Sequence, residues 1–267
     1  MHFLGLKLFA TNTGVKMKTR IFAANWKMFK TPDETRKYFS SFRELVAKTS
    51  SDRQFLFFPP ALCLESALES TQGTSIQLGV QNCHSKGEGA FTGEISAQAA
   101  HKMGAQWVLV GHSERRTLFH ETDSLISEKL QFAQSLGMKT MLCIGETLDE
   151  RQSQRTEAVL STQLEKALAK AAAKDLVIAY EPVWAIGTGI NATPEQAETT
   201  HQFIVRWLEG RGFGGTPVLY GGSVKPENAK ALMDQPSVSG FLVGGASLDP
   251  QSFAKISQQQ AEFSVKG

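Results

Sequence analysis

Ile178-Ala179-Tyr180-Glu181-Pro182-Val183-Trp184-Ala185-Ile186-Gly187-Thr188-Gly189 is the stretch on which the reading of this chain turns. An apolar run beginning at Leu176 stops at a carboxylate, a proline follows, and an apolar segment leads into Gly-Thr-Gly. A short apolar run without alternation reads as a strand buried on both faces. Pro182 lacks a backbone donor and takes the chain out of the sheet, which puts Glu181 at the strand's C-terminal end. Trp184, Ala185 and Ile186 are too apolar for an idle surface loop, and Gly187 and Gly189 leave its far end permissive. The segment reads as a flap closing over the carboxylate, an arrangement suited to proton abstraction away from water. Taken alone, Glu181 is better explained as a strand-terminal residue capping a helix, since carboxylates are mostly exposed. The rest of the chain decides.

Similar runs recur on both sides. They are Arg20–Trp26, Gln54–Pro59, Ser75–Asn82, Trp107–Gly111, Lys139–Gly145, Asp175–Glu181, Thr216–Gly222 and Gly240–Gly245. Helix-period segments lie between them. Thr31-Pro32-Asp33-Glu34 is an N-cap with proline at the first helical position, leading to Tyr38, Phe39, Phe42, Leu45 and Val46 on one face. Thr193-Pro194-Glu195 repeats that signal before Phe203, Ile204 and Leu208. Thr122-Asp123 opens another helix, and Asp149 to Ala173 reads as one long one. No composition break marks a second domain. Buried strands alternating with helices over this length predict a closed (β/α)8 TIM barrel, a single domain of class α/β. An open doubly wound sheet should have amphipathic edge strands, and no G-x-G-x-x-G follows the first strand.

Bulk properties narrow the partners. The chain has 267 residues and a net charge of +2, which makes no electrostatic case for nucleic acid. The scattered histidines have no zinc-ligand spacing, so no metal is expected. Cys63, Cys83 and Cys143 are odd in number and far apart, which fits a reducing cytoplasm rather than a disulfide framework. No apolar run approaches the ~20 residues of a membrane span. Residues 1–18 lack the pattern of a signal peptide. They read either as an extension outside the main fold, which is then 19–267, or as the product of a start upstream of Met17.

In a barrel, functional groups gather at the C-terminal strand ends. Strand one ends in Asn25-Trp26-Lys27, strand four in Gly111-His112-Ser113-Glu114-Arg115-Arg116, and strand six in Glu181. Strand seven ends in Tyr220-Gly221-Gly222-Ser223 and strand eight in Gly244-Gly245-Ala246-Ser247. Singly, each is ordinary: a solvated lysine, a structural histidine, a glycine turn. Together they form one ring of amine, imidazole, carboxylate and glycine-rich turns. The glycine pairs leave backbone N–H groups open, and a helix begins behind them, a combination that holds phosphate in many barrels.

These residues carry a family resemblance. Asn-x-Lys after strand one, Gly-His-Ser-Glu-Arg-Arg after strand four and Tyr-Glu-Pro-Val-Trp-Ala-Ile-Gly-Thr-Gly after strand six resemble triosephosphate isomerase. So do Tyr-Gly-Gly-Ser and Val-Gly-Gly-Ala-Ser, and the likeness runs from about residue 20 to 260 in order. It implies interconversion of dihydroxyacetone phosphate and glyceraldehyde 3-phosphate, with Glu181 as base and no cofactor. Burial under the lid, residues 182–192, should raise the basicity of Glu181. His112 would act as a neutral electrophile, its imidazolium disfavoured by the helix that follows. Lys27 would supply positive charge, with Asn25 as a neighbouring donor and Glu114 as the lysine's partner. Gly187, Ser223, Gly244 and Gly245 would hold phosphate, and Tyr220 would latch the lid at Ala192. The loop Gly87-Glu88-Gly89-Ala90-Phe91-Thr92-Gly93-Glu94 matches one that reaches into a second subunit, which implies a homodimer with Thr92 buttressing the partner's site. The chain departs from the family at Ala24, at Ile190-Asn191 and in Gln81-Asn82-Cys83-His84, without losing a chemical group.

Two alternatives stay open on the residues. Another phosphate-binding barrel enzyme, an epimerase or a lyase, would share the glycine pairs but has no need of this lid. A non-catalytic phosphate-ester-binding homologue should have lost Glu181, His112 or Lys27.

Overall fold

In the computed structural model, residues 19–186 and 192–259 are described. Among them eight parallel strands close a barrel in sequence order, as expected. They are β1 (Arg20–Asn25), β2 (Arg53–Phe58), β3 (Gln77–Val80), β4 (Trp107–Val110), β5 (Lys139–Ile144), β6 (Leu176–Tyr180), β7 (Val218–Tyr220) and β8 (Gly240–Val243). The helices around them are α1 (Pro32–Val46), α2 (Leu64–Ser70), α3 (Ala97–Met103), α4 (Ser113–Leu118) and α5 (Asp123–Ser135). After β5 come α6 (Leu148–Gln152), α7 (Thr156–Leu168), α8 (Pro194–Glu209), α9 (Pro226–Met233) and α10 (Pro250–Ser257).

The unalternating strand pattern has a direct cause. Ile21, Ala23, Leu56, Phe58, Leu109, Met141, Cys143, Val177, Ala179 and Leu219 pack with one another inside the barrel. Their strand neighbours Phe22, Ala24, Phe57, Val108, Leu142 and Ile178 belong to a larger cluster that includes Tyr38, Phe39, Phe42, Leu164 and Ile204 of the helices. Both strand faces are thus removed from water, and both must be apolar. Ring closure follows from β8 pairing with β1, Ile21 beside Gly240 and Ala24 beside Val243.

The helix starts behave as the sequence signals require. Thr31 and Glu34 form a reciprocal capping box before α1, and Thr193 and Gln196 form one before α8, each with proline in the first turn. The long helix expected over 149–173 is instead two, and it ends early. Gln154 adopts a left-handed φ of 57°, and the Arg155 N–H turns back to the Glu150 carbonyl at 2.8 Å, closing α6. At the far end, the Gln134 side chain bonds both the N–H (2.8 Å) and the carbonyl (2.9 Å) of Ala172, replacing helical partners. The alanine-rich composition favoured helix, and tertiary hydrogen bonds overrode it.

Candidate active site

Glu181 follows β6 directly, and the polar groups expected beside it converge on one cleft of about 290 Å³. Its lining includes Asn25, Lys27, His112, Glu181, Ile186, Gly221, Gly222, Ser223, Gly244 and Gly245. Glu181 is buried, and its two oxygens are separately partnered. Oε2 accepts from the Ser113 backbone N–H at 2.9 Å, and Oε1 lies 3.0 Å from His112 Nε2.

That contact changes the expected electrostatics. Burial pushes the Glu181 pKa up, but the His112 imidazole, its hydrogen bond and the Ser113 N–H outweigh it, and the net direction is down. For His112, burial pulls the pKa down, yet the Glu181 charge and hydrogen bond, followed by Glu114, carry it upward. The expectation of a carboxylate made more basic by burial therefore does not hold while the two groups touch. A hydrogen bond on the other side of the ring opposes the upward shift of His112. The Glu114 N–H, in the first turn of α4, donates to His112 Nδ1 at 3.2 Å, so that nitrogen presents a lone pair. When the ring is uncharged, its proton is therefore on Nε2, facing Glu181. Carboxylate and helix amide pull the imidazole in opposite directions, and a ligand entering between Glu181 and His112 removes only the first.

Lys27 lines the same cleft and has a left-handed φ of 50°, a strained backbone for a side chain of its size. Three groups hold it there. Asn25 Oδ1 accepts the Lys27 N–H at 3.0 Å, and Glu114 Oε1 bonds Nζ. Gln81 Nε2 donates to the Lys27 carbonyl at 2.7 Å and to Phe58 O at 2.9 Å. Gln81 was visible in the sequence only as part of an unusual tetrapeptide, and its job depends on a partner far away in the chain.

Glu146 is a second residue that the strand-end survey missed, because strand five was left out of the ring. It is fully buried beyond β5, and its Oε1 receives Tyr180 OH, Trp184 Nε1 and Arg151 Nη1, each at 3.0 Å. Its carbonyl accepts the Val183 N–H at 3.1 Å. The start of the lid, a short turn over Val183–Ala185, is thereby tied to the end of β5. A polar residue two positions past a buried strand is the signal that could have found it.

Tyr220 is buried at the end of β7, its hydroxyl beside the Ala192 backbone, and burial pushes its pKa up to about 12. Gly187, Gly189 and Ile190-Asn191 lie outside the described residues. Thr92 is exposed and lines neither this cleft nor the neighbouring one.

Fold and site together define a class: (β/α)8 barrel proteins whose rim gathers a carboxylate, an imidazole and an ammonium with glycine-rich turns. A family model described as triosephosphate isomerase matches residues 20–260. The triosephosphate isomerase of Bdellovibrio bacteriovorus is 56% identical over 238 residues, which is 89% of this chain and 98% of that protein. Those of Solibacter usitatus and Aquifex aeolicus are 49% and 47% identical, over 90% and 89% of this chain and 99% and 98% of their own lengths. The chain belongs to the triosephosphate isomerase family.

Proposed function

We propose that this chain interconverts dihydroxyacetone phosphate and D-glyceraldehyde 3-phosphate through an enediolate, with the rim residues in the roles that follow. The carrying observation is the meeting of Glu181, His112 and Lys27 in one cleft that Gly221–Ser223 and Gly244–Gly245 also line. Substrate enters between Glu181 and His112 and replaces their mutual contact. Glu181 removes a proton from the carbon beside the carbonyl, and the electron pair moves onto the carbonyl oxygen. The neutral His112 Nε2–H bonds that oxygen and moves a proton between the two enediolate oxygens. Lys27 offsets their negative charge, with Asn25 completing the polar wall. Glu181 then returns its proton to the adjacent carbon. Open backbone amides at Gly222–Ser223 and Gly244–Gly245, and Gly187 from the lid, hold the phosphate. Glu114 keeps Lys27 in place, Ile186 brings apolar cover, and Tyr220 latches the lid at Ala192. A closed lid excludes water and keeps the enediolate from expelling phosphate.

Turnover of glyceraldehyde 3-phosphate in a coupled assay tests this, with Glu181→Gln as the control that keeps shape and removes the base. Wild-type activity that falls by roughly 10³-fold or more in the variant is the expected result. An inactive wild type that still binds a phosphate ester overturns it.

The assembly is a homodimer through the 87–94 loop. Supporting this, Met28 and Phe119 are 94% and 63% exposed beside a second cleft of about 220 Å³ that both line with Lys27 and Glu114. Thr92 of the partner subunit would fill that cleft. The catalytic domain is 19–267, a view supported by a family match that starts at residue 20. The enzyme is cytoplasmic. In support, Cys63, Cys83 and Cys143 are unpaired, and no helix among the described residues is long and apolar enough to cross a membrane.

A further inference from the structure

The three residues leaving β5 touch the proposed machinery one after another. The Ile144 carbonyl accepts the Glu181 N–H at 2.7 Å, and the Glu146 carbonyl accepts the Val183 N–H at 3.1 Å. Gly145, between them, is pressed against Glu181 so closely that a Cβ would stand 1.8 Å from the Glu181 carbonyl oxygen. The ladder between β5 and β6 ends at Ile144 and Tyr180, so Gly145 has no strand partner in that register. One side chain satisfies both of its polar groups instead. The Gly145 N–H donates to Gln163 Oε1 at 2.9 Å, and Gln163 Nε2 donates to the Gly145 carbonyl at 2.9 Å. A carboxamide presents a donor and an acceptor side by side, which a peptide's N–H and carbonyl match.

We propose that Gln163, on α7, is a positioning residue for the isomerisation. By clamping Gly145 it sets the height of the Glu181 carboxylate above the cleft and fixes the start of the lid through Glu146. This rests on the reading of Glu181 as the base. A carboxylate displaced by a fraction of an ångström still binds substrate but meets the carbon acid badly, so the effect belongs on turnover.

The test compares the full-length wild type with Gln163→Met and Gln163→Glu. Methionine keeps the bulk and removes both hydrogen bonds, and kcat is expected to fall roughly tenfold or more while KM changes less than about twofold. Glutamate discriminates by pH. Its protonated form reproduces the donor–acceptor pair, whereas its ionised form repels the Gly145 carbonyl. The kcat of Gln163→Glu relative to wild type, read at each pH, is therefore expected to climb as pH falls from about 8 to about 5.5. A Gln163→Met kcat within twofold of an active wild type, or a KM change as large as the kcat change, makes the clamp structural only and overturns the proposal. So does a Gln163→Glu ratio that is flat with pH. If Gln163→Met fails to fold, the glutamate pH series decides alone. An inactive wild type overturns the parent reading and this one together, so the two failures are distinct.

Discussion

Glu181 and His112 face each other across 3.0 Å with opposite shifts, and the pair has a pH signature in stability. A carboxylate held below its unfolded pKa contributes stability above that value and loses it as pH falls through the folded one. A histidine held above its unfolded pKa contributes below that value and loses it as pH rises through the folded one. The joint contribution is therefore complete between about pH 4.3 and about pH 6.5, the two unfolded values. Urea unfolding of wild type and His112→Gln across pH is expected to give a stability gap widest in that window. A gap that does not vary with pH means the contact does not couple the two titrations. Burial pushes the Cys83 thiol up to about 12, and burial, then the Glu181 charge, holds the Cys143 thiol well above its ordinary value, so both stay as thiols and resist oxidation.

Among the elements, the described residues on either side of 187–191 are each held by a fixed post. The first is the Glu146 carboxylate with Trp184 and Tyr180. The second is the start of α8, where Thr193, the residue after Ala192, caps the Gln196 N–H at 3.2 Å and receives Gln196 Oε1 at its own N–H at 3.0 Å. Thr193→Ala removes half of that box and is expected to cost about 1 kcal/mol of stability in urea unfolding. Because the cap sits at the lid's return, kcat is expected to drop as well. Unchanged stability and turnover would show that Pro194 alone holds this end. Arg151, in α6, adds to the first post through its ion pair with Glu146 at 3.0 Å.

Across the whole molecule, closure depends on how β8 meets β1. Gly240 has φ of 145°, and a Cβ there would stand 1.9 Å from the Ile21 carbonyl oxygen, a backbone atom that cannot yield. Gly240→Ala is expected to destabilise the barrel by more than about 3 kcal/mol, with a lower urea midpoint and a less cooperative transition. A midpoint like that of wild type would show that the ring can shift to admit the methyl. The dimer is tested at this scale too. On the proposal that each site borrows Thr92 of the partner subunit, specific activity is expected to fall on dilution in step with the mass measured by sedimentation. A fully active monomer would sink that arrangement.

Strand existence, ring order and the positions of Glu181, His112 and Lys27 on one rim were legible in the chain itself. Both faces of a closed parallel barrel are buried, which leaves a local apolar pattern, and proline and glycine mark the strand ends where Glu181, His112 and Lys27 stand. What only the tertiary structure decided were the groups whose meaning is a distant partner. Gln81 beneath Lys27, Glu146 beneath Trp184 and Gln163 around Gly145 look like ordinary polar residues in sequence, because a hydrogen bond between remote segments leaves no local periodicity. The direction of the Glu181 shift was hidden for the same reason. Burial can be read from a run of apolar neighbours, but the imidazole that reverses its effect comes from another strand, and only folding brings the two within 3.0 Å.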